Sequence, residues 1–328
     1  MKLSRFALCA VAALCFASPV APAGEDIPVQ VSVINRFAPG GQTLFGDLEF
    51  LGGLQFTSPD RRLQSLSSIR FRRDGERFVS VLDTGHWLTG RIRRDGEGRL
   101  SGLGELSVDP MRIRGGRIGT KYNTDAEGLA LRDGEALVSF EQLHRVDVYP
   151  DPGFEASGPL QTLPLPIPRR EFRMNGGMET VAVSPKDSPL RGAPIVITEE
   201  SLDDKGNMFA AVLEGPLKGV FKVVRHDPYN ATDGAFLPNG DFLLLERRFS
   251  FLTGLGMRIR RLKGEDIRPG AVVDGEVLLD ADMRYTIDNM EGLDVIAGSD
   301  GRPHVIIVSD DNGNMIQRNI MLEFRLNR

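Results

Sequence analysis

The chain has 328 residues, 40 Lys and Arg against 45 Asp and Glu, and a hydrophobic share of 41%. That share supports a sizeable core and excludes wholesale disorder. A formal net charge of −5 leaves no global basic footprint, which speaks against nucleic acid as a partner.

Residues 1–23 read as an export signal. Lys2 and Arg5 precede an apolar run from Phe6 to Phe16, and Ala21-Pro22-Ala23 offers the small-x-small pattern of a cleavage site. The run is short for a membrane span of about 20 residues. Cleavage before Gly24 leaves 38 basic against 45 acidic residues, a net charge of −7. It also removes Cys9 and Cys15, the two cysteines of the chain, which excludes a disulfide or a Cys-ligated zinc in the mature protein. The expectation is a periplasmic or secreted protein that has no membrane contact once the signal is gone.

Residues 24–328 read as a single all-β domain. Five segments share one pattern: a short apolar strand opening on a polar residue, a turn, and a strongly apolar strand closing on an acid. The first strands are LSSIRF (66–71), AEGLAL (126–131), METVAV (178–183), TDGAFL (232–237) and MEGLDV (290–295). Asp-Gly and Asn-Gly recur in the turns, a strong hairpin signal because both residues tolerate positive φ. The second strands are FVSVLD (78–83), ALVSFE (136–141), PIVITE (194–199), DFLLLE (241–246) and HVIIVSD (304–310). Glu127, Glu179, Asp233 and Glu291 follow one another at 52, 54 and 58 residues. A repeat of that size points to the blades of a β-propeller, and the mature length divided by it predicts six. The sixth would draw on LEFLGGLQF (48–56), closing with MLEFRL (321–326).

An antiparallel hairpin sets the start of its first strand beside the end of its second. Glu127 therefore pairs with Glu141, Glu179 with Glu199, Asp233 with Glu246, Glu291 with Asp310, and Ser67 with Asp83. Propeller geometry turns these ends toward one mouth of the central channel, crowding nine carboxylates there. Like charges so close raise one another's pKa or need a cation between them. Lys121, Arg145, Arg247, Arg248 and Arg318 are local candidates for that cation. A bound Ca²⁺ is another, because it takes hard oxygen ligands, about 6–8 of them. Glu127, Glu179, Asp233 and Glu291 are the expected metal ligands, with Asp125, Asp288 and Asn289 adding oxygens. The competing reading is that each acid accepts backbone hydrogen bonds between blades and binds nothing. Asp83 and His86 are candidate bases, and Arg247 and Lys121 candidate anion-binding groups. Trp87 suits either a substrate ring or blade packing. There is no G-x-S-x-G elbow, H-E-x-x-H or P-loop.

The stretches GGLQFTS, LSSIRFRRDGERFVSVLDTGHWLTGRI, DAEGLAL, ALVSFEQLHRV, DGAFLPNGDFLLLERRFSFLTGLGMRIRRL, IDNMEGLDV and SDDN with its following Gln-Arg span about residues 46–326. Together they resemble the phytase-like family, described by an esterase-like activity of phytase, a group of exported bacterial propellers. LQSLSSI stands where that family usually has a Gly-rich start, and SDDNGNM lacks the aromatic that often follows SDDN. The resemblance implies a propeller that hydrolyses a phosphate ester or related ester, here a small anionic one; it supplies no catalytic set. A Ca²⁺-dependent lactonase-type propeller and a non-catalytic ligand- or partner-binding propeller are the alternatives.

Overall fold

The computed structural model describes residues 27–314 and 316–327; the expected signal at 1–23, with Cys9 and Cys15, lies outside them. The strands form five sheets. Blade 1 runs Leu66–Phe71, Arg77–Leu82, His86–Arg94 and Leu100–Pro110 from the inside out. Blade 2 runs Ala126–Arg132, Glu135–Phe140, Arg145–Pro150 and Gln161–Leu163. Blade 3 begins with Met178–Val183 and Pro194–Leu202, and blade 4 with Asn230–Phe236, Phe242–Ser250 and Gly254–Leu262. Blade 5 begins with Asn289–Ala297, Pro303–Asp310 and Asn319–Leu326. The five innermost strands neighbour one another in a closed ring, the last returning beside the first.

The propeller therefore has five blades, not the six that the repeat length predicts. Leu48–Thr57 does meet the C-terminal strand, with Leu54 opposite Met321, but the two complete the fifth sheet instead of founding a sixth. Gln30–Ile34 then adds outside Leu48–Thr57. Division by the period overcounts because the N-terminal stretch supplies only outer strands, with no inner hairpin of its own.

The hairpin turns hold the expected glycines at positive φ: Gly75 at 68°, Gly134 at 79°, Gly240 at 91° and Gly301 at 79°. The second strands read as continuous apolar runs because both faces are covered by neighbouring blades, as in the wholly buried Phe78–Leu82. Trp87 is fully buried between blades, 5.2 Å from the Tyr149 ring and 4.4 Å from Phe154, so its role is packing.

Every inner strand carries a β-bulge near its start, between Leu66 and Ser68, Ala126 and Leu129, Met178 and Thr180, Ala231 and Asp233, and Met290 and Gly292. Bulges re-aim side chains and recur beside functional sites. Here they give Ser67, Glu127, Glu179, Thr232 and Glu291 one common position. Gly128 follows its bulge with no room to spare: a Cβ there would lie 2.5 Å from the Glu179 carbonyl oxygen of the next blade.

Candidate functional site at the acidic mouth

One residue past the inner hairpin pairs lies a second ring: Asp83, Glu141, Glu199, Arg247 and Asp310. Its register is fixed by Leu66 opposite Leu82, Ala126 opposite Phe140, Met178 opposite Thr198, Ala231 opposite Glu246 and Met290 opposite Ser309. Seven of the nine expected acids stand in the two rings. Asp233 and Glu246 do not, because the fourth blade is shifted by one residue relative to the sequence repeat.

Asp233 falls one place beyond the bulge and points down the channel, where it is fully buried. Arg70 clamps it at 2.7 and 2.8 Å, Ser68 donates to it at 2.8 Å and the Leu293 amide at 3.0 Å. The expectation that Asp233 shares a cation with three glutamates gives way to this ion pair. Glu246, also fully buried, faces the blade interior, where Arg258 and Arg260 hold it at 3.0 and 2.6 Å. Arg70 is a residue that sequence reasoning missed. Its guanidinium also donates to the carbonyls of Ile69, Leu293, Val181 and Gly234, tying together four inner strands.

Several rim acids do what the structural reading expected of them. Asp310 accepts from the Leu66 amide at 3.1 Å, and Glu141 from the amides of Gly176 and Gly177 at 2.5 and 3.2 Å. Lys121 Nζ lies 2.5 Å from Asp125, 3.1 Å from the Asp83 carboxylate and 2.9 Å from the Asp83 carbonyl oxygen. Arg247 reaches Glu291 at 3.4 Å and Glu199 at 3.5 Å, and donates to Asn289 Oδ1 at 3.0 Å. Glu127 and Glu179 differ: among the described residues they accept no hydrogen bond and form no ion pair. Burial raises the pKa of both well above the usual carboxylate range, and neighbouring carboxylates raise it further. Burial, opposed by Arg247, pushes Glu291 up to about 8. Burial likewise raises Asp310 to about 7, against its amide bonds and with the charges of Asp311 and Asp83.

Asp125, Glu127 and Glu141 each present a carboxylate oxygen, and these oxygens lie within 4.8 Å of one another. Of the four ligands expected from sequence, only Glu127 belongs to this triad; Asp125 and Glu141 join it from the adjoining rim. His86 opens the third strand of blade 1 and belongs to neither ring. Its Nδ1 lies 3.1 Å from Thr84 Oγ1, and its charged neighbours are Arg62 and Asp109; burial lowers its pKa. Asp83 and Lys121 stay together at the mouth. Arg318, at 3.1 Å from Asp288, completes the rim.

A profile of the family described as "Phytase-like: Esterase-like activity of phytase" matches residues 61–313, and the chain belongs to this family. No curated protein matches. Among solved structures, the chain is similar to an endo-arabinase from Bacteroides thetaiotaomicron VPI-5482, with 12% identity and a TM-score of 0.48, covering 79% of this chain and 93% of that one. It is also similar to the RRP9 WD40 repeats, with 11% identity and a TM-score of 0.43, covering 90% of this chain and all of that one. The Myceliophteria thermophila Cps50 (Swd1) β-propeller domain gives 11% identity and a TM-score of 0.38, over 75% of this chain and 64% of that one. Among the described residues, no helix is long and apolar enough to cross a membrane.

Proposed function

We propose that the acidic mouth hydrolyses a phosphate ester or a related ester, with Ca²⁺ held by Asp125, Glu127 and Glu141. The observation that carries this reading is that Glu127, within the carboxylate triad, and its neighbour Glu179 have no hydrogen-bond or ion-pair partner among the described residues. Packing alone gives no reason to gather unpaired acids in a half-buried site, since each costs desolvation that nothing repays. The donor set fits the ion: all hard oxygen, with no sulfur or imidazole, and open to the channel for the remaining ligands. Bound Ca²⁺ would polarise an ester oxygen and render a coordinated water more acidic. Asp83, kept in place by Lys121, would accept the proton of the attacking water and return it to the leaving alcohol oxygen as the ester bond breaks. Lys121 and Arg247 stand on opposite sides of the mouth and orient the anionic group of the substrate. His86 has no part in this arrangement.

Membership of the phytase-like family supports hydrolysis, and the carboxylate array favours a cation-assisted form of it. Export by residues 1–23 belongs to the same proposal and expects periplasmic material beginning at Gly24. Elemental analysis of the purified protein, coupled to a panel of phosphomonoesters, carboxylesters and lactones, tests the activity. Stoichiometric calcium with phosphoester or carboxylester turnover, lost in Glu127→Gln, is the expected result. Lactone turnover alone would reassign the substrate, and neither metal nor turnover would leave a binding module.

A further inference from the structure

A groove of about 400 Å³ opens beside the mouth, sharing Glu199 and Arg247 with it and lined further by Glu200, Arg225, Arg248 and Phe249. Its lining mixes both signs: three arginines and two glutamates. Arg247 is committed to Glu199 and Glu291, and Arg225 to Asp227 at 3.1 Å. Although its charge helps lower the pKa of Asp282, Arg248 forms no ion pair among the described residues. It donates to Tyr229 Oη at 3.2 Å and Thr253 Oγ1 at 2.9 Å, and among the described residues no carboxylate lies within ion-pair distance. Its place is built into the backbone, because a Cβ on Gly256 would lie 2.7 Å from Arg248 Nε.

Phe249 lines the groove, and an exposed apolar patch continues from it beyond the groove. Phe249 packs edge-on against Phe251 at 5.2 Å. Phe251 and Leu252 cap the hairpin between the second and third strands of the blade, exposed by 97% and 95%. Met283, 55% exposed, lies against the same turn at Gly254. An apolar patch on a hairpin tip loses hydration free energy unless something covers it. What covers this one must also suit the Arg248 guanidinium beside it, which forms no ion pair among the described residues.

We infer that the groove binds an amphiphilic anion, its charged oxygens on Arg248 and its hydrocarbon along Phe249, Phe251 and Leu252. The inference deepens the ester reading of the mouth and rests on it for the substrate class, an ester bearing an alkyl or aryl tail. The binding itself needs no turnover. Complementary charge selects the occupant: a guanidinium binds phosphate or carboxylate oxygens bidentately, and a neutral surfactant would leave it unused.

Calorimetric titration of the full chain with monomeric octyl phosphate, ethyl phosphate and octyl glucoside tests this. Each fully buried methylene is worth about a fourfold gain in affinity, so even partial cover should make octyl phosphate bind at least about tenfold tighter than ethyl phosphate. Octyl glucoside, with the same tail and no charge, should be weaker by a similar factor. Phe251→Ser with Leu252→Ser should bring octyl phosphate down to the ethyl phosphate level and leave ethyl phosphate unchanged. Arg248→Gln should weaken both phosphates alike. Phe251 and Leu252 are exposed and Arg248 is half-buried, so circular dichroism checks that both variants fold. The proposal is overturned by equal affinity for the two phosphates, by a chain-length preference that survives the double variant, or by octyl glucoside binding as well as octyl phosphate. Sedimentation with phosphatidylglycerol vesicles without binding of monomeric octyl phosphate would assign the hairpin to a membrane surface and overturn it too. Tight octyl phosphate binding by a protein that turns over no ester would keep the subsite and remove the hydrolytic reading.

Discussion

Arg247 occupies in the fourth blade the position that Glu199 occupies in the third, and the two side chains meet at 3.5 Å. A ring that would otherwise hold five acids thus carries its own cation. The guanidinium also reaches Glu291 at 3.4 Å, and these carboxylates, Glu291 first, strengthen its hold on the proton. One built-in charge compensates one side of the mouth; Lys121 attends to Asp83 and Asp125 on the other. Glu127 and Glu179 lie between the two; their charges reach Arg247 across the mouth, but among the described residues neither forms an ion pair.

Replacing Arg247 by Gln should therefore destabilise the protein mainly where Glu199 and Glu291 are ionised. Partial exposure limits the cost to roughly 1–3 kcal/mol, below that of a fully buried pair. Thermal melts at pH 8 should show a clear loss and melts at pH 5 a small one. An equal loss at both would mean that Arg247 acts through packing alone.

Glu127→Gln addresses the triad. A cation bound only to the folded state stabilises by mass action, about 2.7 kcal/mol at a hundredfold excess over Kd. The wild type should melt higher in Ca²⁺ than in chelator, and Glu127→Gln should lose most of that difference while its metal-free melt stays the same or rises slightly. A wild type indifferent to both additions, and free of calcium by elemental analysis, would remove the metal role.

Much of this site is legible in the sequence because hairpin chemistry leaves marks on it. Turn glycines, apolar second strands and the acids that end them locate the inner hairpins and seven of the mouth carboxylates. The fourth blade misleads for a definite reason. Thr232-Asp233-Gly234 imitates the Glu-Gly of Glu127-Gly128 and Glu291-Gly292, yet the bulge selects Thr232, and the frame moves by one. That shift sends Asp233 down the channel and Glu246 into the blade, and brings Arg247 to the mouth. Pattern matching aligns residue types, whereas a bulge is decided by which backbone groups pair across the strands. The blade count fails similarly, since strand order between the chain ends leaves no local mark. Arg70 was hidden because its partners come from four inner strands far apart in sequence.

The raised carboxylates give the metal-free protein a defined pH dependence. Glu291, near 4.5 when unfolded and about 8 when folded, binds more protons in the folded state between those values. Stability contributed this way is present below about pH 4.5 and lost as pH rises toward 8; Asp310, raised to about 7, adds in the same direction. Chelated protein should accordingly melt lower at pH 8 than at pH 5.5. Glu291→Gln should flatten that slope, and saturating Ca²⁺ should reverse part of it because metal binding favours ionised carboxylates. A slope unchanged in Glu291→Gln would locate the titration elsewhere.

The Arg70–Asp233 pair closes the channel below the mouth and makes the last prediction. Both groups are almost wholly withdrawn from water, with side chains 7% and 0% exposed. Burial and attraction oppose each other at both: desolvation raises the Asp233 pKa while Arg70 lowers it, and Asp233 helps hold the proton on Arg70 against desolvation. Removing one partner strands the other's charge in a dry interior. Asp233→Asn and Arg70→Met should each cost about 3–5 kcal/mol. For Arg70→Met the loss includes hydrogen bonds to four backbone carbonyls. The double variant strands neither partner's charge, although Asp294 still loses the nearby Arg70 charge, so it should be more stable than the sum of the single losses predicts, with a coupling of roughly 1–3 kcal/mol. Denaturant unfolding of the wild type and the three variants measures this directly. Strict additivity would mean that the two residues act separately and that the inner strands do not depend on the pair.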